Sequence, residues 1–192
     1  MRTMRKQDPR FNDSSFRSTY HWLAAEFGIQ YYLAARSAVA AAFNPVCGSI
    51  AHHAIEMLFK ACLANDDSGE TIAKYIDIYR HNLDLLWAEF RRRNQHLNLD
   101  PEFDLIIDEL NKWDEIRYPN QLVLEGGHLD IGFVEPDPPP SGGQHSRFKL
   151  YLPALERLAS VLIKATGISG ETTRAQAERR MTMYLAQINL LP

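Results

Sequence analysis

Three ionisable residues recur at every fourth position of an otherwise apolar segment in this 192-residue chain. His52, Glu56 and Lys60 lie within residues 50–63, a stretch that contains no Gly or Pro and is otherwise mostly apolar. A spacing of four residues places side chains on one face of an α-helix, about one turn apart. Because ionisable groups are rarely buried unless they are paired or functional, this polar stripe either forms ion pairs or lines a cleft.

Glu56 and Lys60 stand in the order that favours an ion pair within a helix, with the acid four residues before the base. One interpretation is therefore a pair that satisfies itself at a seam between helices. His52 and Glu56 could also face one metal ion, but two ligands do not make a zinc site, and the neighbouring sequence offers no obvious further ligands. We therefore expect no metal and no cofactor.

Two further strings carry side chains with useful chemistry. His81 stands at a predicted helix start, where it can act as a general acid or base near neutral pH or can cap the helix. Arg117 can bind a carboxylate or phosphate through its planar fork, or it can meet the carbonyls that end its own helix. Tyr118 can stack on a base or fill the core. The sequence contains no phosphate-binding glycine loop, dinucleotide fingerprint, nucleophile elbow or paired-cysteine metal motif.

Apolar residues at helical spacing predict the elements that must position these side chains. We expect Gly28 to kink or interrupt the first helical stretch, and Asn44–Pro45 to end the helix that follows. Asn82 and Pro101 suit the starts of two later helices. The predicted helices span residues 14–27, 29–43, 46–63, 70–75, 82–93, 101–118, 150–166 and 181–191.

The pattern changes between residues 119 and 146. Leu129, Ile131 and Phe133 alternate with polar or small residues, as in a short hairpin or an extended flap. The prolines and glycines of residues 136–143 predict a linker.

The fold class that follows is all-α. We expect an antiparallel up-and-down helical bundle over residues 14–166, with the flap and linker inserted at 119–146. A disordered tail over 1–13 is expected to precede the bundle, and a C-terminal helix over 167–192 to follow it.

Bulk properties limit the setting. The net charge of −3 gives no global basic field for nucleic acid, and the 45% hydrophobic content can build a sizeable core. Cys47 and Cys62 would be about 22 Å apart on one helix, beyond disulfide reach, as expected for reduced thiols in the cytoplasm. No apolar run approaches the ~20 residues of a membrane span, so we expect a cytoplasmic protein without a membrane partner.

Three strings, taken together, resemble the HEPN family (higher eukaryotes and prokaryotes nucleotide-binding). They are HAIEMLFKACL at residues 53–63, HNLDLL at 81–86 and RYP at 117–119. The resemblance covers residues 20–119 and, less completely, 147–166. It implies a bundle of four or five helices that commonly dimerises through its central helices.

The resemblance also implies two functional branches. One branch consists of metal-independent ribonucleases, often toxins, whose hallmark is an arginine, a polar residue and a histidine four to six positions after the arginine. The other branch has lost this hallmark and binds nucleotides or partners, often beside a small nucleotidyltransferase. Here no histidine follows Arg117 at the expected distance. A ribonuclease mechanism would therefore need His81 or His128 as the base.

On this resemblance we expect a homodimer that binds a nucleotide, RNA or a protein partner without efficient catalysis, as part of a toxin–antitoxin or nucleotidyltransferase-associated system. The cleft would be lined by Glu56, Lys60, His81, Arg117 and Tyr118. Lys60 and Arg117 would neutralise phosphate, Tyr118 would stack, and Glu56 would orient His81 or Lys60. The alternatives are a metal-independent endoribonuclease with Arg117 and His81 as its catalytic candidates, and a purely structural or interaction protein whose stripe is an internal ion pair.

Overall fold

The structure is a computed structural model that describes residues 14–64, 72, 79–115, 128–132 and 147–168. Most of the described residues are helical, which confirms the predicted helical class. The helices are α1 (Ser14–Ala40), α2 (Asn44–Ala64), α3 (Leu83–Arg93), α4 (Glu102–Glu115) and α5 (Leu152–Ala165), and the strands are β1 (His128–Gly132) and β2 (Arg147–Tyr151).

Helix α1 runs without interruption through Gly28, so the predicted break there is wrong. A Cβ atom at Gly28 would lie 2.8 Å from Cγ of Leu58 on α2 and 3.0 Å from its backbone nitrogen. The missing side chain allows α1 and α2 to approach closely, and this outweighs the modest helix penalty of one glycine. The helix ends three residues earlier than expected, at Ala40, and Ala42 adopts a positive φ of 58° in the turn that leads to α2.

Helix α2 is the central element of the described residues, because it packs against α1, α3, α4 and α5. Its apolar residues are fully buried around much of its circumference, as the sequence pattern indicated. Among them are Ala51, Ala54, Ile55, Leu58 and Phe59. The three residues of the polar stripe, His52, Glu56 and Lys60, are therefore buried with this helix.

Helix α4 crosses α2 at a second glycine. A Cβ atom at Gly48 would lie 2.0 Å from Cδ2 of Trp113, whose side chain is completely buried. The Trp113 indole N–H donates to the carbonyl of Lys149, 2.8 Å away on β2. This contact ties α2, α4 and the small sheet together.

The start of α3 follows the prediction closely. The Asn82 side chain accepts a hydrogen bond from the Leu85 backbone N–H at 3.0 Å and caps the helix. At the opposite end, Asn94 caps the helix through its backbone N–H, which donates to the carbonyl of Phe90. The Asn82 cap fixes the backbone immediately after His81.

The two strands pair in parallel, with His128 opposite Arg147 and Gly132 opposite Tyr151. Of the two expected forms, a hairpin or an extended flap, the hairpin does not describe this pair, because the strands of a hairpin are antiparallel. β1 takes a partner from beyond the linker, and β2 leads directly into α5, whose predicted start at residue 150 was two residues too early. The predicted tail at 1–13, the helices at 70–75 and 181–191, and the linker at 136–143 lie outside the described residues, apart from Ile72.

Candidate functional site

A single buried carboxylate gathers three nitrogen donors. Oε2 of Glu56 lies 3.1 Å from Nδ1 of His53 and 3.0 Å from Nδ1 of His81, and Oε1 lies 2.5 Å from Nζ of Lys60. Glu56 is 1% exposed and Lys60 8%. We call these four residues the Glu56 cluster.

Helix geometry brings three members of the Glu56 cluster together. His53 stands three residues before Glu56 and Lys60 four residues after it on α2, and side chains at these spacings meet on a helix surface. His81 arrives from the turn before α3. Arg80 adopts a positive φ of 42° there, a conformation that non-glycine residues rarely take. The turn delivers the His81 imidazole to the carboxylate.

The electrostatics of the Glu56 cluster favour an ionised carboxylate. Burial by itself raises the pKa of Glu56, but the hydrogen bonds from His53 and His81 and the charge and hydrogen bond of Lys60 together lower it to about 2. The same charge also acts on Tyr20. Burial is the larger cause, and repulsion by Glu56 adds to it, so that the pKa of the Tyr20 phenol rises to about 12. Glu56 is therefore a fixed anion at neutral pH.

This fixed charge decides the tautomers of the two histidines. An ionised carboxylate only accepts hydrogen bonds, so Nδ1 of both His53 and His81 must carry a proton and donate it to Oε2. In the neutral imidazoles Nε2 then remains as an acceptor or a general base. The His53 and His81 side chains are 37% and 54% exposed, so a ligand can reach them. The Tyr31 ring packs edge-on against His53, with centroids 4.5 Å apart.

His52 belongs to a different network from Glu56 and Lys60, although its spacing predicted that all three lie on one face of α2. Its Nδ1 lies 2.9 Å from the Leu110 carbonyl on α4, and its Nε2 lies 3.9 Å from the Asp114 carboxylate. His52 therefore ties α2 to α4, and it does not share a metal-binding geometry with Glu56. His53, which the sequence reasoning left out, takes its place, and its i,i+3 spacing to Glu56 was the available signal.

The remaining predicted residues divide by location. Glu56, Lys60 and His81 come together as expected. Arg117 and Tyr118 lie outside the described residues, so their contribution stays a prediction. For His128 the structure gives its position on β1 only.

A cavity of about 150 Å³ lies elsewhere, between α4, β2 and α5. Its lining includes Glu102, Glu109 and Lys149, and contains no member of the Glu56 cluster. Glu109 accepts hydrogen bonds from the Lys149 backbone N–H and from Lys112, and Glu102 pairs with Arg157. Because these carboxylates are engaged in contacts between elements, we regard the Glu56 cluster as the candidate site.

Comparisons with family models, with curated proteins and with solved structures found no match for this chain. The HEPN resemblance therefore depends on the three sequence strings alone. None of the described helices combines the length and the apolar character that crossing a membrane requires.

Proposed function

We propose that this chain is a HEPN-like helical module that binds a phosphate-bearing ligand, a nucleotide or RNA, at the Glu56 cluster without efficient catalysis. The observation that carries the proposal is one buried carboxylate that holds a lysine and two partly exposed imidazoles at a single point. An ion pair within one helix requires only Glu56 and Lys60. The two additional imidazoles on the same buried carboxylate, among otherwise apolar helices, therefore favour a functional role for the cluster.

The roles of the individual residues follow from their charges. Glu56 and Lys60 neutralise each other, so this pair adds no net charge to the site. Arg117 would supply the positive charge that faces phosphate, and Tyr118 would stack on a base. Glu56 would hold His81 and His53 in a fixed orientation while their exposed edges contact the ligand.

The assembly is part of the same proposal. The HEPN resemblance favours an up-and-down bundle that forms a cytoplasmic homodimer, works beside a small nucleotidyltransferase or in a toxin–antitoxin system, and accepts a protein partner. The three-residue connection between α1 and α2 supports antiparallel neighbours. Large apolar side chains on α1 remain exposed and support a partner surface: Trp22, Leu23, Phe27 and Tyr31 are 52%, 36%, 45% and 39% exposed.

Calorimetric titration tests this proposal. The full chain is titrated with mononucleotides and with a short single-stranded RNA in the presence of chelator, beside the variants Lys60→Ala and Arg117→Ala. We expect each variant to weaken binding at least tenfold, about 1.4 kcal/mol. His96→Ala, at an exposed position outside the Glu56 cluster, serves as the matched control. Binding that is unchanged in both variants would show that the site is assigned to the wrong residues.

A second function, metal-independent RNA cleavage, is favoured by the two imidazoles on one carboxylate. In this reaction the 2′-hydroxyl attacks the adjacent phosphorus and the bond from phosphorus to the 5′-oxygen breaks, so one group must take the hydroxyl proton and another must give a proton to the leaving 5′-oxygen. His53 and His81 offer a pair for these two roles, with their orientation fixed by Glu56. Incubation of RNA with wild type, Arg117→Ala and His81→Ala in chelator separates the two functions. Cleavage by wild type that both variants lose would replace the binding module with a ribonuclease.

A further inference from the structure

The Glu56 cluster has a second property that phosphate binding does not use. One nitrogen from His53, one from His81 and one oxygen from Glu56 all lie within 4.8 Å of one another. Oε2 of Glu56 is 3.1 Å and 3.0 Å from the two Nδ1 atoms. Ligand atoms of a tetrahedral zinc ion, bonded at about 2.0–2.1 Å, are about 3.3 Å apart, so small side-chain shifts would create this spacing.

The donor set is also suitable. Two imidazoles and one carboxylate are ligands that zinc and similar borderline cations accept, and three protein ligands leave a fourth position open. His53 and Glu56 are held on one helix at i,i+3, and His81 is fixed by the capped start of α3. Two of the three ligands thus come from one rigid element, which lowers the cost of organising the site.

We propose that His53, Glu56 and His81 bind one divalent cation of the zinc class, with the fourth position open to water or to a ligand. This reverses the expectation of no metal, which had paired Glu56 with His52 and counted only two ligands. The fold directs His52 to α4, and it places His53 and His81 at the carboxylate instead.

The protons balance in this exchange. Without metal, each Nδ1–H donates to Oε2. On binding, the cation takes the place of both protons, and each neutral imidazole keeps one proton, now on Nε2. Glu56 is already ionised, so it need not lose a proton to become a ligand. Lys60 stays on the other oxygen, Oε1, where it orients the ligating carboxylate as hydrogen-bonded partners of metal ligands commonly do.

The test uses zinc alone, without nucleotide or RNA, so that its result is independent of the proposed function. The full chain is stripped with chelator, loaded with Zn²⁺ and desalted, and its zinc content is measured by elemental analysis. Calorimetry gives the affinity, and Co²⁺ as a replacement reports tetrahedral geometry through its visible absorption. We expect one equivalent of zinc, at least tenfold weaker binding in His53→Ala and in His81→Ala, and no change in His96→Ala.

Three results would overturn the site: well under one equivalent of zinc in the wild type, full affinity in either cluster variant, or an equal loss in His96→Ala. His53 and His81 are partly exposed, so their variants should fold, and thermal melts in chelator check this. Should an alanine variant melt lower than the wild type, His53→Gln or His81→Gln retains more side-chain volume while removing the imidazole, and the same criteria apply. Zinc binding without nucleotide binding would support this site and reject the proposed function, and the reverse outcome would do the opposite.

Discussion

Glu56 is the residue on which the candidate site depends. Its carboxylate accepts hydrogen bonds from His53, His81 and Lys60 while it is almost completely buried. A buried charge is costly unless it is paired and fully hydrogen-bonded, and here both oxygens are satisfied. Removing the carboxylate should therefore release two imidazoles and leave Lys60 as the uncompensated charge of the cluster.

The lowered pKa of Glu56 predicts acid-sensitive stability. Because the pKa falls from 4.5 in the unfolded reference to about 2 in the fold, the folded protein binds this proton more weakly. The contribution of Glu56 is thus complete above about pH 4.5 and is lost as the pH falls toward 2. The difference corresponds to at most about 3 kcal/mol.

Urea unfolding at pH 7 and pH 3 measures this contribution. Glu56→Gln should be less stable than wild type at pH 7 and should lose less stability on acidification. Glu89→Gln is the positive control, because hydrogen bonds and charges from Arg92 and Arg93 lower the pKa of Glu89 to about 2 at a site outside the cluster, so this variant should also lose less stability on acidification. If Glu56→Gln and wild type lose equal stability between the two pH values, the paired carboxylate contributes nothing.

At the scale of elements, two glycines set the contacts of α2. Gly48→Ala would push a Cβ atom into the Trp113 ring, which is buried and bonded to Lys149, so the ring has no room to move. Overpacking usually costs about 1–3 kcal/mol, and we expect a loss at the upper end of this range. Gly28→Ala would place a Cβ atom 2.8 Å from Cγ and 3.0 Å from the backbone nitrogen of Leu58, a milder overlap than the 2.0 Å contact at Trp113, and it gains up to about 1 kcal/mol of helix propensity, so it should cost less.

Chemical denaturation of the two glycine variants checks this order. A Gly48→Ala protein as stable as wild type would mean that α2 and α4 do not pack as described. A Gly28→Ala loss larger than that of Gly48→Ala would place the tighter helix contact between α1 and α2.

The elements themselves were largely predictable from the sequence. Hydrophobic periodicity and the Asn82 cap gave α2, α3 and the start of α4 to within about two residues, because local signals dominate there. The errors lie where distant contacts decide. A glycine at position 28 predicts a helix break, and only its close contact with Leu58 on α2 explains why the helix continues. Alternation predicts a strand at residues 128–132, but it does not identify the partner strand beyond residue 146.

The site divides in the same way. The resemblance predicted that Glu56 would orient His81 or Lys60, and helix spacing predicted the Glu56–Lys60 pair. Whether His52 or His53 would join them depended on the rotation of α2 against its neighbours, which the sequence does not encode locally. His52 is within hydrogen-bond distance of the Leu110 carbonyl on α4, and His53 is the histidine that contacts Glu56.

At the scale of the whole molecule, the exposed apolar face of α1 predicts self-association. Phe27, 45% exposed, lies four residues from both Leu23 and Tyr31 on the same helix face. We expect the wild type to sediment as a dimer and Phe27→Asp to shift it to a monomer without unfolding. Leu105→Asp, at a 65% exposed position on α4, is the control and should leave the dimer intact. A wild type that is monomeric at tens of micromolar would contradict the dimer.

The central claim is that the Glu56 cluster binds a ligand and is more than a structural ion pair. The most direct test compares RNA affinity with thermal stability in one exposed-histidine variant. Fluorescence anisotropy with a labelled short RNA, in chelator, is measured for wild type, His81→Ala and His96→Ala, together with the melting temperature of each. We predict that His81→Ala loses at least tenfold in affinity while all three proteins melt within a few degrees. Equal RNA affinity in all three proteins, or no binding by the wild type, would contradict a phosphate-binding role for the cluster.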